Sequence, residues 1–377
     1  MRRARVIKGP PKPKPAWLGY ALLVLLAALA LWQQRSGYTN PPPAGRVAAT
    51  SYFLPEDEVA VRAELSAALE RTTRTADLAL LTLNDTGLGY QLAQTAARGV
   101  RVRLFTEREH RGDILTTLLA GFRGQASGRP RVGAREARAA ARRTSEHCER
   151  LEKIEVCYDD RPGLMHDKFA VLDDREVWTG SANWSYNGLH KNDNDLLVLT
   201  GEPAARLYHA AFEALWRRKP RPPAPATLEL DDGAISVYFT PGFGEAALAR
   251  IVRELDGAER EVWVAAFVLT HPRILAALNA AARRGVAVRV LLERRNLPDS
   301  REEDLDPRVE LRQDANPAAL HFKTIVIDER TVVTGSFNFT RSAAVRNDEN
   351  LLVLTHPQLA RRYKEKVWER WRRARPR

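Results

Sequence analysis

Apolar residues divide the chain into one long unbroken run and two series of shorter runs that mirror each other. The long run is AWLGYALLVLLAALALW, residues 16–32, 17 residues without a charge. That is the lower limit for a helix crossing a hydrocarbon core about 30 Å thick. Trp17, Tyr20 and Trp32 fall near its two ends, where interfacial aromatics belong. The run has no polar face, so a buried core helix is a poor fit. A cleaved signal peptide is the rival reading, because Ala28-Leu29-Ala30 has small residues at cleavage-site spacing. The basic segment 1–15 ahead of the run and Trp32 at its end favour an uncleaved anchor over 16–33. Either reading keeps the N-terminus in the cytoplasm and places the body on the far side. Residues 34–50, with Pro41-Pro42-Pro43, read as a linker.

Beyond the linker the apolar runs shorten and acquire the periods of strands and helices. DLALLTL (77–83) and EVWVAAFVL (261–269) are strand-like. GLGYQLAQTAARG (87–99) and PRILAALNAAARRG (272–285) are helical and stop at glycine. VRVRLFTE (100–107) and VAVRVLLE (286–293) are the next strands. Strand and helix alternate in the same order twice, which predicts an α/β protein of two tandem units, each a mixed sheet flanked by helices. The units are assigned to 51–217 and 232–377, joined by a proline-rich stretch, 218–231. Each closes with a tryptophan-bearing helix, in which tryptophan is expected to pack helix against sheet.

The two units share sequence as well as pattern. Tyr52, Phe53 and Pro55 recur as Tyr238, Phe239 and Pro241 at an offset of 186, and Glu107 recurs as Glu293. From His166 onward the offset is 155, and 17 of 35 positions in 166–200 equal their counterparts in 321–355. The first unit therefore carries 31 extra residues within 108–163, including an arginine-rich segment and both cysteines. This insertion is either a solvated addition or a basic lid over an anionic substrate.

Charge changes the picture less than its total suggests. The net charge of +12 resides in the two ends, residues 1–15 and 361–377, and the body between them is close to neutral. A basic field over the body, as expected of a nucleic-acid binder, is therefore lacking. Two cysteines exclude a disulfide-built fold and a four-cysteine zinc site. Cys148 and Cys157 either close a local disulfide, if the body lies in an oxidising compartment, or are separate thiols.

The chemistry lies in the repeated stretch. Both copies hold a His-x-Lys pair, His166/Lys168 and His321/Lys323, then Asp173 or Asp328, then Gly-Ser-x-Asn. Strand alternation puts each histidine on the same face as its lysine and each aspartate on the opposite face. The pairs are thus assigned to a site and the aspartates to a structural role. Gly180 and Gly335 permit close backbone approach, while Ser181, Asn183, Ser336 and Asn338 offer hydrogen bonds to phosphate oxygens.

This pattern, HxKxxxxD followed by GSxN, resembles the phospholipase D superfamily over essentially the whole body, about 51–373. The resemblance implies two similar α/β units packed as a pseudo-dimer, so that a monomer suffices to form the site. It implies phosphodiester cleavage with neither metal nor cofactor: one histidine attacks phosphorus to give a covalent phosphohistidine, and the other protonates the leaving oxygen and then activates water. By the same analogy His166 is the nucleophile and His321 the acid/base, while Lys168 and Lys323 neutralise developing charge. Glu349 matches a family acid that orients a site histidine. Its counterpart is Asn194, which accepts an N–H bond without supplying charge, so the two histidines are expected to be electrostatically unequal.

Two substrate classes follow. Phospholipid is favoured by the predicted membrane anchor and by basic ends suited to anionic lipid. DNA or RNA is the alternative, because GSFNFTRSAAVRNDENLLVL (335–354) resembles the superfamily's small bacterial nuclease branch. A membrane-tethered binding module with a dead site is a lesser alternative.

Overall fold

Alternating β-branched and aromatic residues give strands whose two faces are both apolar, which requires cover on both sides. The computed structural model describes residues 45–218 and 222–377 and meets that demand in each half. The first half runs β1 (Ala48–Leu54), α1 (Glu58–Arg71), β2 (Thr75–Leu80), α2 (Thr86–Ala97) and β3 (Arg101–Glu107). It continues with α3 (Arg111–Phe122), α4 (Ala134–Ala140), β4 (Arg142–Arg143), β5 (Cys148–Leu151) and β6 (Ile154–Asp159). It ends with β7 (Lys168–Leu172), β8 (Glu176–Gly180), α5 (Tyr186–His190), β9 (Asn194–Thr200) and α6 (Glu202–Trp216). The second half runs β10 (Ala226–Leu230), β11 (Gly233–Thr240), α7 (Gly244–Asp256), β12 (Glu261–Ala266), α8 (Pro272–Arg283) and β13 (Ala287–Leu292). Then follow β14 (Glu310–Gln313), β15 (Lys323–Ile327), β16 (Thr331–Gly335), α9 (Arg341–Val345), β17 (Glu349–Thr355), α10 (Pro357–Arg373) and β18 (Arg375–Pro376).

Each half forms a nine-stranded sheet, ordered β1-β9-β8-β7-β2-β3-β6-β5-β4 and β10-β11-β17-β16-β15-β12-β13-β14-β18. Both sheets are mixed: β2 pairs parallel with β3 and antiparallel with β7, and β12 does the same with β13 and β15. The central seven strands correspond one to one. The differences lie at the edges, where the first half adds the β4–β5 hairpin and the second adds β10 and β18.

Helices α1–α3 cover the outer face of the first sheet, and α7–α9 that of the second. The inner faces of both sheets share one core with α6 and α10, built around Phe53, Phe169, Tyr208, Phe239, Phe322 and Tyr363. Trp371 of α10 packs edge-on against Trp263 of β12, with ring centres 5.7 Å apart, as expected of helix-to-sheet packing.

Hydrogen bonds lock this shared core reciprocally. Tyr363 donates to Asp195 at 2.7 Å and Thr334 to the same carboxylate oxygen at 2.6 Å. The counterparts Tyr208 and Thr179 donate to Asn350 at 3.4 and 2.8 Å. The matching offset of 155 in every member makes the relation a pseudo-two-fold one.

Several boundaries differ from the sequence expectation. Residues 48–50 belong to β1 rather than to the linker, and 226–230 of the proline-rich stretch form β10. The 108–163 insertion is structured. It supplies α3, α4 and the β4–β5 hairpin, and a disulfide joins Cys148 to Cys157 between β5 and β6. Among the described residues no helix is long and apolar enough to cross a membrane. The predicted anchor, 16–33, lies outside the described residues.

Candidate functional site

Each HxK histidine sits just ahead of the strand that holds its lysine, and the other half fixes its backbone. His166 N donates to Asp348 O at 2.9 Å, and Asp348 N donates to Leu164 O at 2.8 Å. In the second half His321 N donates to Asp193 O and Asp193 N to Ala319 O, both at 2.8 Å. A carboxylate at the end of β3, or just after β13, accepts from the residue before the histidine. Met165 N donates to Glu107 at 2.9 Å and Leu320 N to Glu293 at 2.6 Å. The histidines are therefore positioned by the seam between the halves.

The imidazoles cross the seam as well. His166 Nδ1 lies 2.7 Å from Glu349 Oε2, and His321 Nδ1 lies 2.8 Å from Asn194 Oδ1. Surrounding donors decide the proton positions. Asn194 Nδ2 donates to Gly188 O at 2.9 Å, so its Oδ1 must face His321, where it also accepts from Ser181 Oγ at 3.0 Å. An acceptor opposite Nδ1 places a proton on Nδ1 and leaves the lone pair of the neutral ring on Nε2. Glu349 Oε1 accepts from Asn347 Nδ2 at 3.1 Å, so donors face both carboxylate oxygens and His166 takes the same tautomer.

The histidines are nearly closed off, at 8% and 7% exposure, and the lysines are buried. Burial, with the ammonium groups of Lys168 and Lys323, holds His166 well below the usual imidazole range, opposed by the Ser336 backbone. Burial holds His321 down likewise, aided by Lys323, Lys168 and His166. Burial lowers Lys168 to about 8 against the pull of Glu349 and Asp167, and it lowers Lys323 well below the ordinary lysine value, with Lys168 adding to it. Burial raises Glu349 to about 7, opposed chiefly by Lys168. The site thus holds positive charge reluctantly, a condition that a bound anion relieves.

The remaining predicted residues divide by role. Lys168 Nζ donates to the carbonyl of His166, and Lys323 Nζ to that of His321 at 2.7 Å, so each lysine is anchored on its own motif. Asn183 and Asn338 each carry a buried amide oxygen without a hydrogen-bond partner among the described residues. Ser181 and Ser336 are fully buried and committed within the protein, their hydroxyls accepting from Asp195 N at 2.9 Å and Asn350 N at 3.0 Å. Gly180 and Gly335 have φ of +132° and +124°, and a Cβ there would lie 2.5 Å from Asp195 O or 2.3 Å from Asn350 O. The close approach they permit is to the neighbouring strand.

Asp173 and Asp328 are not on a strand face, as alternation predicted. They stand in the turns after β7 and β15 at φ of +51° and +52°. There Asp173 accepts from the backbone N–H groups of Thr73, Arg74 and Thr75, and Asp328 from those of Glu259, Arg260 and Glu261, at 2.7–2.9 Å. Their work is to tie the end of the HxK strand to the start of β2 or β12.

Sequence reasoning missed Phe267. Its ring lies edge-on to His321, 4.7 Å between centres, and Lys323 Nζ sits 4.8 Å from it. It was hidden in an apolar run read as continuous strand, whereas β12 ends at Ala266. Arg161 and Arg370 were missed too. Arg161 bridges Asp159 and Asp348, and Arg370 bridges Glu56 and Asp193, each bracing an aspartate whose carbonyl holds a histidine. The identical Asn-Asp pairs at 192–193 and 347–348 were the available signal.

Comparisons with known proteins agree with this geometry. The family model described as cardiolipin synthase, PLD-like domain, matches residues 65–216 and 251–371, one stretch in each half. A phospholipase D of Rickettsia conorii is 37% identical over 138 residues, covering 36% of this chain and 68% of that protein. The human mitochondrial cardiolipin hydrolase is 29% identical over 134 residues, covering 34% of this chain and 53% of its own. The solved phosphatidylserine synthase of Haemophilus influenzae shares the fold, with a TM-score of 0.62 at 13% identity over 90% of this chain and 89% of that one. With both halves matched and both HxK motifs meeting at the seam, the chain belongs to the phospholipase D superfamily, in the family of cardiolipin synthase PLD-like domains.

Proposed function

We propose that this protein, a phosphodiesterase of the phospholipase D type, hydrolyses phospholipid at the seam between its halves. The observation that carries the reading is the pair of crossed contacts, Glu349 on His166 and Asn194 on His321. Each leaves an Nε2 available for chemistry.

His166 Nε2 attacks phosphorus, and the bond from phosphorus to the leaving oxygen breaks. The phosphorylated imidazole carries positive charge, which the Glu349 carboxylate stabilises and an amide would not. His321, protonated as the anionic phosphodiester enters, gives its Nε2 proton to the leaving oxygen. It then takes a proton from water, whose oxygen displaces His166 from phosphorus. Lys168, Lys323, Asn183 and Asn338 hold the phosphoryl oxygens, and Ser181 and Ser336 position Asn194 and the adjoining strands. Neither metal nor cofactor takes part, and one chain suffices because both motifs lie within it.

Phospholipid is the favoured substrate because relatives bear the names phospholipase D and cardiolipin hydrolase, and because a membrane anchor is predicted over 16–33. The Cys148–Cys157 disulfide supports a body in an oxidising compartment outside the cytoplasm, tethered by that anchor or secreted if it is cleaved. Cleavage of DNA or RNA by the same chemistry is the second reading, favoured by the resemblance of 335–354 to the nuclease branch.

The test assays the full-length protein in detergent side by side on phospholipid vesicles and on plasmid and single-stranded DNA, with and without EDTA. Headgroup release at a rate EDTA leaves unchanged is the expected result. Cleavage of DNA alone would replace the substrate, and loss of activity with EDTA would sink the mechanism.

A further inference from the structure

Among the described residues five large apolar or aromatic side chains are exposed: Val59, Leu164, Tyr186, Val345 and Trp368. Three of them stand on the loops and short helices next to the site. Leu164, 42% exposed, is two residues before His166, and its backbone pairs with Asp348 and Asn347. Val345, 54% exposed, ends α9, and the adjoining Arg346 backbone packs so closely on Gly163 that a Cβ there would lie 1.9 Å from its carbonyl. These two therefore stand on paired segments, one of which carries His166. Tyr186, 53% exposed, opens α5, the helix between Asn183 and the segment that pairs with His321.

Cations accompany each group. Lys191 lies 5.2 Å from the Tyr186 ring centre and matches Arg346 at the repeat offset. Arg341 and Arg346 are exposed at the two ends of α9. The insertion adds to the Tyr186 side. Thr86, at the start of α2, donates to Gly128 O, holding the loop with exposed Arg129 and Arg131 against the helix whose Asp85 bonds His190 beside Tyr186. Lys191, Arg341, Arg346, Arg129 and Arg131 form no salt bridge among the described residues.

Isolated exposed apolar residues are ordinary on a surface. Three of five gathered on segments next to the site, each beside unpaired cations, fit the composition of a surface that enters the headgroup region of an anionic bilayer. We propose that these segments form a docking face for a membrane containing anionic phospholipid. Tyr186, Leu164 and Val345 insert among the headgroups, while Lys191, Arg341 and Arg346 meet lipid phosphate. The inference rests on the phospholipid reading of the same site and specifies how that site reaches a bilayer. A nucleic-acid rim requires the cations and gives the apolar Leu164 and Val345 no contact to make.

Two measurements on the full chain separate this proposal from the reading beneath it. In the first, a Leu164→Ser/Tyr186→Ser/Val345→Ser variant is compared with wild type on phosphatidylglycerol-containing vesicles and on a soluble phosphodiester, bis(p-nitrophenyl) phosphate. Activity on vesicles should fall about tenfold or more while the soluble substrate changes less than about twofold, since only the membrane step uses these side chains. Equal falls on both, or none on vesicles, would overturn the docking face. In the second, Val345→Cys carries an environment-sensitive dye, the native cysteines being bonded to each other. Its emission should shift to the blue with vesicles containing phosphatidylglycerol and stay unchanged with pure phosphatidylcholine or a DNA oligonucleotide. A shift given by DNA instead, or none with anionic vesicles, would overturn the proposal. Labelled Val345→Cys protein that shifts on anionic vesicles, paired with a wild type that releases no headgroup from them, would overturn the phospholipid reading and leave the docking face standing.

Discussion

His166 and His321 occupy equivalent places in two halves of near-identical motif, yet they face different partners. Glu349 reaches across to His166 with a carboxylate, and Asn194 reaches across to His321 with an amide. Much of the two environments matches: the lysine on its own motif, the carboxylate behind the preceding residue, the serine beneath the partner. Charge against no charge at Nδ1, together with the Phe267 ring edge-on to His321, separates the histidines. A carboxylate favours a ring that becomes cationic and covalently loaded, and an amide favours a ring that gives its proton up readily. Under the proposed mechanism, the duplicated site acquires two roles by a change in the group behind the ring rather than in the ring itself.

The largest effect should come from removing either ring. His166→Ala and His321→Ala should each lower kcat by about 10⁴-fold or more. They should differ in what accumulates: His321→Ala traps an acid-labile phosphoryl adduct visible as a mass increase, and His166→Ala traps none. An adduct in His166→Ala alone would exchange the assigned roles.

Replacing the charged partner comes next. Glu349→Gln should cost about 10²–10³-fold in kcat, because the phosphorylated imidazolium loses its counter-charge. An unchanged rate would show that the carboxylate only positions His166.

The reciprocal locks in the shared core are unequal too. Asp195→Ala strands the hydroxyls of Tyr363 and Thr334 on a charged acceptor's site, and should destabilise by about 2–4 kcal/mol. Asn350→Ala, with a neutral acceptor and a longer Tyr208 bond, should cost about 1–2 kcal/mol. Chemical denaturation of both variants checks the order, and equal losses would remove the distinction.

Asn194→Asp should give the smallest change. A carboxylate beside Nδ1 raises the pKa of His321, so its acid form persists to higher pH. The alkaline limb of kcat/KM should move upward by about one unit, with little change at the optimum. Movement of the acidic limb instead would mean that His321 is the nucleophile.

Much of this molecule was legible in its sequence because the information is local. Strand and helix periods repeat within a few residues, so DLALLTL and PRILAALNAAARRG announce β2 and α8 without reference to the rest of the chain. The repeat offsets set the two-unit plan and the pairing of His166 with His321 and Lys168 with Lys323. Alternation failed for Asp173 and Asp328 because the strand ends one residue too soon. A left-handed turn then aims each carboxylate at three backbone N–H groups about 100 or 70 residues earlier in the chain.

Which half serves which is settled by how the two halves pack, not by the spacing along the chain. Asn194 and Glu349 sit 28 residues after their own histidines, and spacing alone suits an orienting contact within each motif. Packing the inner faces of the two sheets around α6 and α10 brings each partner to the other half's ring. It also turns Ser181 and Ser336 inward and sets Phe267 against His321. Those contacts depend on how two separately patterned surfaces meet, a non-local fit that no period or offset along one chain encodes.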